Sequence, residues 1–396
     1  MTSPEALNER IDNFLRAYPV SRTDDRRFRE ARFDAGLAMV HFDPGLGGLG
    51  LAPSLQPMVD ARFREAGCAD WRDRNLIGLG MAAPTIHAHG TAAQKRLLRP
   101  LFSGEHVWCQ LFSEPGAGSD LAAMATRAVR DGDGWIVSGQ KVWTSLGHVA
   151  RYGLLLARTD PTLPKHRGLT YFLLDMSLPG VDVRALRQLT GEAEFNEVYL
   201  TDVRVPDTAR LGAVGSGWTV ALTTLSNERS TLGDVVADRG TGPIGQAVAL
   251  YRQAIDGGGY VEPELYDRLI RLWCRTETNR LMSAHMGRSR SDLAAGPDGS
   301  VVKLQMAELN QAVYDLCIDL MGLDGVLYDS FALTRPGHST VHGSSDPRRA
   351  FLRSLANSIE GGTSEIQRTV IGERVLGLPP EPRVDKNRPW TDVPRG

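Results

Sequence analysis

ANSIEGGTSEIQR, residues 356–368, is the stretch on which the fold turns. Its first half ends FLRSLANSI (351–359), which places apolar residues at 351, 352, 355 and 359 on one face of a helix that Gly361-Gly362 terminates. In its second half Ser364 has Gln367 three positions on, the pattern of a capping box, so the spacing predicts a new helix opening there. The glycines therefore lie at a helix N-terminus, where unpaired N–H groups can hold a carbonyl oxygen or a phosphate. A plain helix–helix corner fits the same residues. Glu360 and Glu365 flank the pair, and the local pattern leaves open whether either does chemistry.

A third carboxylate has a more unusual setting. Trp218, Ala221, Leu225, Glu228, Leu232 and Val235 follow one another at spacings of 3, 4, 3, 4 and 3, so Glu228 interrupts an otherwise apolar helical stripe. A buried carboxylate must be paired, protonated with a raised pKa, or part of a site. Arg229 is near enough to share the same cleft. The alternative is a glutamate at a wet margin of the stripe, or one paired structurally to Arg229.

Two loops upstream carry further candidates. SEPGAGSD (113–120) is dense in turn formers whose backbone N–H groups can face a ligand, with Ser113 and Ser119 as added donors; a surface turn reads the same way. GQKVWTS (139–145) ends a predicted strand with Trp143 beside two hydroxyls, and that indole suits either the core or a planar ring. Gly45-Leu-Gly47-Gly-Leu-Gly50 satisfies GxGxxG, but Pro44 precedes it, Pro53 follows, and the segment before it is helical. It is read as a glycine-rich interhelical loop, since the dinucleotide fingerprint needs a strand in front.

The wider texture changes twice. Residues 1–108 have helical periodicity, with Ala6, Leu7, Ile11, Phe14 and Leu15 on one face and Phe28, Ala31, the Arg32 stem and Ala35 on another. Residues 109–208 read as strands: RAVRDGDGWIVSG (127–139) as a hairpin with an Asp-Gly turn, then YGLLLART (152–159), LTYFLLDM (169–176) and FNEVYLTDVRVP (195–206). Helical periodicity returns over 209–378, and the Pro- and charge-rich residues 379–396 read as an extended tail. The 396 residues carry 45 basic and 47 acidic side chains, a net charge of −2, and no basic nucleic-acid patch stands out among them. Cys68, Cys109, Cys274 and Cys317 have no metal-like spacing, and reduced thiols in a cytoplasmic protein are expected. No apolar run is long enough to span a membrane, and no secretory leader is visible.

SEPGAGSD, GQKVWTS, FNEVYLTDVRVP with GSGW, LSNER and GGTSEIQR, in that order, resemble the acyl-CoA dehydrogenase family over 33–378. The resemblance implies an N-terminal all-α domain, a middle β-barrel or sandwich domain and a C-terminal four-helix bundle. It implies an FAD between the β domain and the C-terminal helices, completed by a second subunit. Gln110, Leu111, Phe112, Ser113, Gly118 and Ser119 would line flavin and thioester, and Trp143, Thr144 and Ser145 would lie against the isoalloxazine ring. Thr363 and Glu365 match FAD contacts, while Ser119, Gly361 and Gly362 match substrate contacts. In the family's reaction a carboxylate removes the α-proton of an acyl-CoA while the β-hydrogen leaves as hydride to flavin N5.

Most members carry that carboxylate directly before the Gly-Thr pair, where this chain has Gly361. Glu360 is one residue early, about 100° around a helix end. A minority place the base just before the arginine of L-x-x-x-R, which in LSNER is Glu228. The resemblance thus assigns Glu228 as base and Arg229 as its orienting partner, with Glu360 as the second candidate. The R-x-x-F-G stretch is reduced to YRQAIDGGG (251–259) with Arg252, and Gln-x-x-Gly-Gly is replaced by DLMGLDG (319–325), which puts FAD contacts across the subunit interface in doubt. The expected partners are an acyl-CoA, including branched or sterol side-chain types, and electron-transfer flavoprotein as acceptor. The expected assembly is a homodimer or tetramer, or a heterotetramer with a related chain. The alternatives are a non-catalytic partner subunit, or a same-fold flavoenzyme that takes a carrier-bound acyl group or uses oxygen.

Overall fold

The computed structural model describes residues 4–69, 71–233, 238–289, 299–340, 344–383 and 385–393, with backbone alone at 229–233 and 286–289. Helices α1 (Pro4–Ala17), α2 (Asp25–Asp34) and α3 (Gln56–Glu65) open the chain. Leu7, Ile11 and Phe14 meet Phe28 and Phe63 in one buried cluster, the rings edge to face. Arg32 joins that face by its stem; its guanidinium lies 4.0 Å over Phe63 and pairs with Asp60 at 2.8 Å. The glycine motif at 45–50 is the loop joining α2 to α3. Gly47 O accepts from Ala38 N and Met39 N, and a Cβ at Gly48 would lie 2.1 Å from Phe42 O. No strand leads into it, so it is a turn that needs backbone contact.

A single π turn (Gly78–Ala82) leads into α4 (Ala83–His89), followed by α5 (Ala92–Lys95) and α6 (Leu98–Ser103). Then come β1 (Trp108–Leu111), β2 (Arg127–Asp131), β3 (Gly134–Ser145), β4 (Tyr152–Arg158), β5 (Leu169–Asp175), β6 (Val181–Ala185), β7 (Phe195–Pro206) and β8 (Arg210–Leu211). They form one sheet in the order β6-β7-β3-β2-β4-β5-β8, with β1 parallel to β4. The sheet curls so that Leu111, Val137, Leu155, Phe172, Val198 and Val203 share a core. The opposite faces of β1, β4 and β5 present Trp108, Leu154, Tyr171 and Leu173 to Ile86, Val220 and Ala221. Buried on both faces, β4 and β5 are near-continuous apolar runs rather than alternating ones.

The C-terminal helices are α7 (Gly217–Gly233), α8 (Pro243–Asp256), α9 (Pro263–Ser289) and α10 (Gly299–Met321), and α10 packs against each of the other three. Ile244, Leu269, Leu272, Leu309, Val313 and Leu316 fill the space between α8, α9 and α10. Two short helices, α11 (Pro347–Ser354) and α12 (Ser364–Val370), lie on α10.

Three sequence expectations are corrected here. The apolar residues of 351–359 do not share one buried face: Phe351 packs in part on the core of α8, α9 and α10, but Leu355 and Ile359 are exposed, and the buried row is Ala350, Arg353, Ser354 and Asn357. Periodicity identifies residues that share a face but not the direction in which it looks. The N-cap of α12 is Thr363, not Ser364. Gly361 (φ 62°) and Gly362 (φ 90°) turn the chain one residue sooner, so Thr363 Oγ1 accepts from Ile366 N and Gln367 reaches back to Gly361 O at 2.9 Å. The described residues between 379 and 393 are anchored rather than simply extended, with a short 3-10 turn at Trp390–Asp392, Trp390 buried against the β domain and Lys165 gripping Asp385 at 2.5 Å.

Candidate functional site

The GGT turn and α7 both lie on α10, and β1 meets the end of α7 through Gln110. Along α7 the fully buried positions are Ala221 and Thr224, and Glu228 follows them by seven and four residues on the same face, half-buried. Gln110, on β1, donates from Nε2 to Glu228 Oε2 at 3.4 Å. The side chains of Arg229 and Leu232, and Val235 altogether, lie outside the described residues. Glu360 points elsewhere. Arg353 donates to both its oxygens at 3.0 and 2.8 Å and Asn357 Nδ2 adds a third bond at 2.7 Å. Burial works against the charge of Arg353, but Glu360 outweighs it and holds the guanidinium above its ordinary range. Glu365 is exposed on the first turn of α12, 3.7 Å from Arg368.

Lys303, which sequence inspection did not single out, connects these parts. It is 1% exposed on α10 and donates to Asn357 O at 2.9 Å and to Gly362 O at 2.6 Å. Burial pushes its ammonium below the ordinary lysine range, while Glu360, Glu228 and Glu365 pull the other way.

The SEPGAGSD loop is built on a second buried cation. Glu114 and Ala117 exchange backbone hydrogen bonds at 3.1 and 3.0 Å, closing the turn. The Glu114 carboxylate turns inward to Lys141 at 2.8 Å and to the N–H groups of Ala125 and Thr126 at 2.6 and 2.9 Å, and Lys141 also donates to Phe112 O. Beneath the following residues, Arg158 holds Ala122 O and Met124 O at 2.6 and 3.1 Å. Leu111 and Phe112 are core, and the Ser113 carbonyl accepts from Val142 N at 2.9 Å. Gly118 and Ser119 are exposed, and a Cβ at Gly116 or Gly118 would meet nothing within 4 Å.

Beside this loop β3 breaks register against β7 between Lys141 and Thr144. Trp143 takes φ 59° and exposes 59% of its surface, edge-on to Phe195 at 5.8 Å, so it is not a core residue. Thr144 is fully buried, yet its Oγ1 has no hydrogen-bond partner among the described residues. Ser145 pairs with Phe195 across the strands. A non-glycine residue held at positive φ costs about 1–3 kcal/mol, and such strain collects at ligand sites. Arg252 is exposed on α8 and makes no hydrogen bond to these groups among the described residues.

The model of the acyl-CoA dehydrogenase middle domain matches residues 109–203, and that of the C-terminal domain matches 215–376. The chain belongs to the acyl-CoA dehydrogenase family. It is 38% identical over 353 residues to acyl-CoA dehydrogenase IpdE1 of Mycobacterium tuberculosis, covering 88% of this chain and 86% of that one. It is also 38% identical over 366 residues to acyl-CoA dehydrogenase FadE34 of the same organism; that match covers 91% of this chain and spans 47% of the relative's length. The Tcur3481–Tcur3483 steroid ACAD structure superposes with a TM-score of 0.71 at 26% identity, covering 96% of this chain and 99% of that one.

Acyl-CoA dehydrogenases are FAD-dependent, and the residues of this chain fit that cofactor. A buried hydroxyl at Thr144 without a partner among the described residues and an exposed indole at Trp143 held in strained backbone stand at the end of β3, and the loop with open glycines at 116 and 118 is bonded to that strand through Ser113 O and Val142 N. The Lys141–Glu114 pair and Arg158 escaped sequence inspection because Lys141 lies 27 residues from Glu114 and Arg158 lies 36 residues from Ala122, where no spacing rule reaches. The one available signal was a lysine at a buried position of a predicted strand.

Proposed function

We propose that this acyl-CoA dehydrogenase removes the α-proton of an acyl-CoA with Glu228 as base. Bound FAD would supply the hydride acceptor for the β-hydrogen. The observation that carries this assignment is the contrast among three carboxylates. Glu360 is held by Arg353 and Asn357, Glu365 is exposed on α12, and Glu228 is half-buried beside Gln110 at the end of the buried face of α7. Gln110 orients the base, and the apolar surroundings of α7 favour a carboxylate ready to accept a proton once substrate excludes water. The N–H groups of Gly361, Gly362 and Thr363 make no hydrogen bond among the described residues and would hold the thioester oxygen as enolate character develops.

The absence of a side chain at Gly361 suits a bulky, branched or ring-bearing acyl group, and the likeness to a steroid ACAD supports that class. Electron-transfer flavoprotein is the proposed acceptor. The exposed Leu355, Ile359 and Ile366, together with the exposed Leu323, Val326 and Phe331 of an earlier segment, would pack against a second subunit. Because that structure carries two component names, the second subunit need not be a copy of this chain, and a supporting role within a heteromer is the second reading. No helix among the described residues is long and apolar enough to cross a membrane.

An anaerobic absorbance titration with straight, branched and steroid side-chain acyl-CoAs tests the proposal. Bleaching of the flavin by the ring-bearing class is expected. A yellow protein that no thioester bleaches would overturn it, and a chain that purifies colourless alone but yellow with a partner chain would favour the second reading.

A further inference from the structure

We propose that Lys303 is a positioning residue that aims the amides of the 361–363 turn at the thioester oxygen, an assignment that rests on the dehydrogenase reading above. The argument is geometric. Asn357 O, in the 3-10 segment before the turn, and Gly362 O, within it, both accept from one ammonium that is almost wholly withdrawn from solvent. In a planar trans peptide the C=O and the next N–H point in opposite directions. Fixing Gly362 O on Lys303 therefore turns the Thr363 N–H away from α10. Gln367 Nε2 does the same for the next peptide, since it holds Gly361 O at 2.9 Å and so turns the Gly362 N–H outward.

Consecutive glycines at φ 62° and 90° would otherwise leave this backbone free to rotate, because glycine populates both signs of φ at little cost. Lys303 removes that freedom on the side away from the ligand. Burial pulls the ammonium below the ordinary lysine range, and Glu360 after α11, Glu228 on α7 and Glu365 on α12 offset part of that, while Arg353 is already committed to Glu360. A charged donor makes shorter, stronger hydrogen bonds than a neutral one, so both carbonyls are held firmly.

The test uses the α,β-unsaturated product of whichever acyl-CoA bleaches the wild-type flavin, labelled with 13C at the thioester carbonyl. Infrared difference spectra of its complex are compared for the wild type, Lys303→Gln and Lys303→Met. Aligned amides should lower the carbonyl frequency on binding. The shift should shrink in the order wild type, Gln, Met, because a glutamine amide still reaches one of the two carbonyls. In Lys303→Met kcat should fall about 10- to 100-fold with KM changed less than about threefold, since the amides act mainly on the transition state. A residue that only braced the fold would lower stability yet leave the frequency of bound product unchanged. Should Lys303→Met fail to fold, Lys303→Gln carries the comparison. An unshifted carbonyl frequency with wild-type kcat in either variant overturns the assignment. Failure of the wild-type flavin to bleach with any thioester overturns the dehydrogenase reading, and this assignment with it.

Discussion

Arg353 grips both oxygens of Glu360, at 3.0 and 2.8 Å, from a position 5% exposed. The pair takes away the carboxylate that sequence places nearest the usual catalytic position. Substituting the two glutamates separately should therefore have opposite kinds of effect. Glu228→Gln should fold normally and lose about 10³-fold or more in flavin reduction rate, the scale expected when an essential base is removed. Glu360→Gln should keep the reductive chemistry within about tenfold but lose about 2–4 kcal/mol of stability, because a buried guanidinium is left half-paired. Stopped-flow flavin bleaching and urea denaturation of both variants decide the matter. A fast Glu228→Gln with a dead Glu360→Gln would reverse the two roles.

Lys141 and Glu114 should behave as one unit under the SEPGAGSD loop. Burial tends to raise the Glu114 carboxyl, but Lys141 and the amides of Thr126 and Ala125 win and hold it below the usual range. Lys141→Met leaves that carboxylate buried without its cation, a loss of about 3–5 kcal/mol at neutral pH. Without the lysine, burial raises the carboxyl, so the deficit should shrink as pH falls and Glu114 takes up a proton. The double variant Lys141→Met/Glu114→Gln should recover part of the loss, measurable as a coupling energy in a double-mutant cycle. Flavin retention after gel filtration should track the same order, since this loop borders the proposed FAD cradle. Simple additivity of the two single losses would show that the pair does not act as a unit.

Acid stability should report on His41. Burial, with a smaller contribution from His87, holds His41 down to about 4, and its Nδ1 is buried without a partner among the described residues. The unfolded chain protonates this ring near 6.5, whereas the folded chain does so only near 4. The unfolded state thus binds more protons between those values. The stability contributed by neutral His41 is complete above pH 6.5 and is lost as pH falls toward 4. For a partly exposed ring the effect is about 1–2 kcal/mol after allowance for solvent screening. His41→Gln should flatten the decline of the urea midpoint between pH 7 and pH 5. Since burial also lowers His87, His89, His106, His148 and His166, part of the slope should persist. An unchanged slope would show that His41 is not held neutral.

The sequence exposed the parts of this molecule that follow local rules. Continuous apolar runs in YGLLLART and LTYFLLDM gave β4 and β5, and the Asp-Gly turn gave the β2–β3 hairpin, because burial and turn geometry act over a few residues. The candidate site was legible only where a motif was contiguous. Glu228 was found because a charge interrupts a stripe, whereas Lys303, Lys141 and Arg158 reach Gly362, Glu114 and Ala122 at separations of 59, 27 and 36 residues, a relation that only the folded chain creates. The cap of α12 was missed by one residue because two left-handed glycines end the turn earlier than a helical periodicity can register. The outward direction of Leu355 and Ile359 was hidden for a different reason. Arg353 and Asn357 are drawn inward by Glu360, and that pull outweighs the preference of the neighbouring apolar side chains for the interior.

The chain after 378 offers the last test. Its composition reads as a free tail, yet Trp390 lies with the Arg158 guanidinium 4.4 Å over its ring and donates from Nε1 to Ala123 O at 3.0 Å. Trp390 N and Thr391 N bond Leu163 O and Pro161 O, and Lys165 links Asp385 to Asp120. Arg158 is the same residue that holds Ala122 O and Met124 O, so the indole braces the segment that follows SEPGAGSD from behind. A cation over an indole adds about 0.5–2 kcal/mol, and emptying the buried slot costs more. Trp390→Ala should therefore lower stability by about 3 kcal/mol and speed flavin loss on dilution, although the tail lies outside the proposed cofactor contacts. Trp390→Phe, which keeps the ring and loses the Nε1 donor, should fall between. The flavin fluorescence that appears when cofactor is released, followed against time after dilution, measures the effect directly. Wild-type release from Trp390→Ala would show that the tail rests on the β domain without supporting the loop.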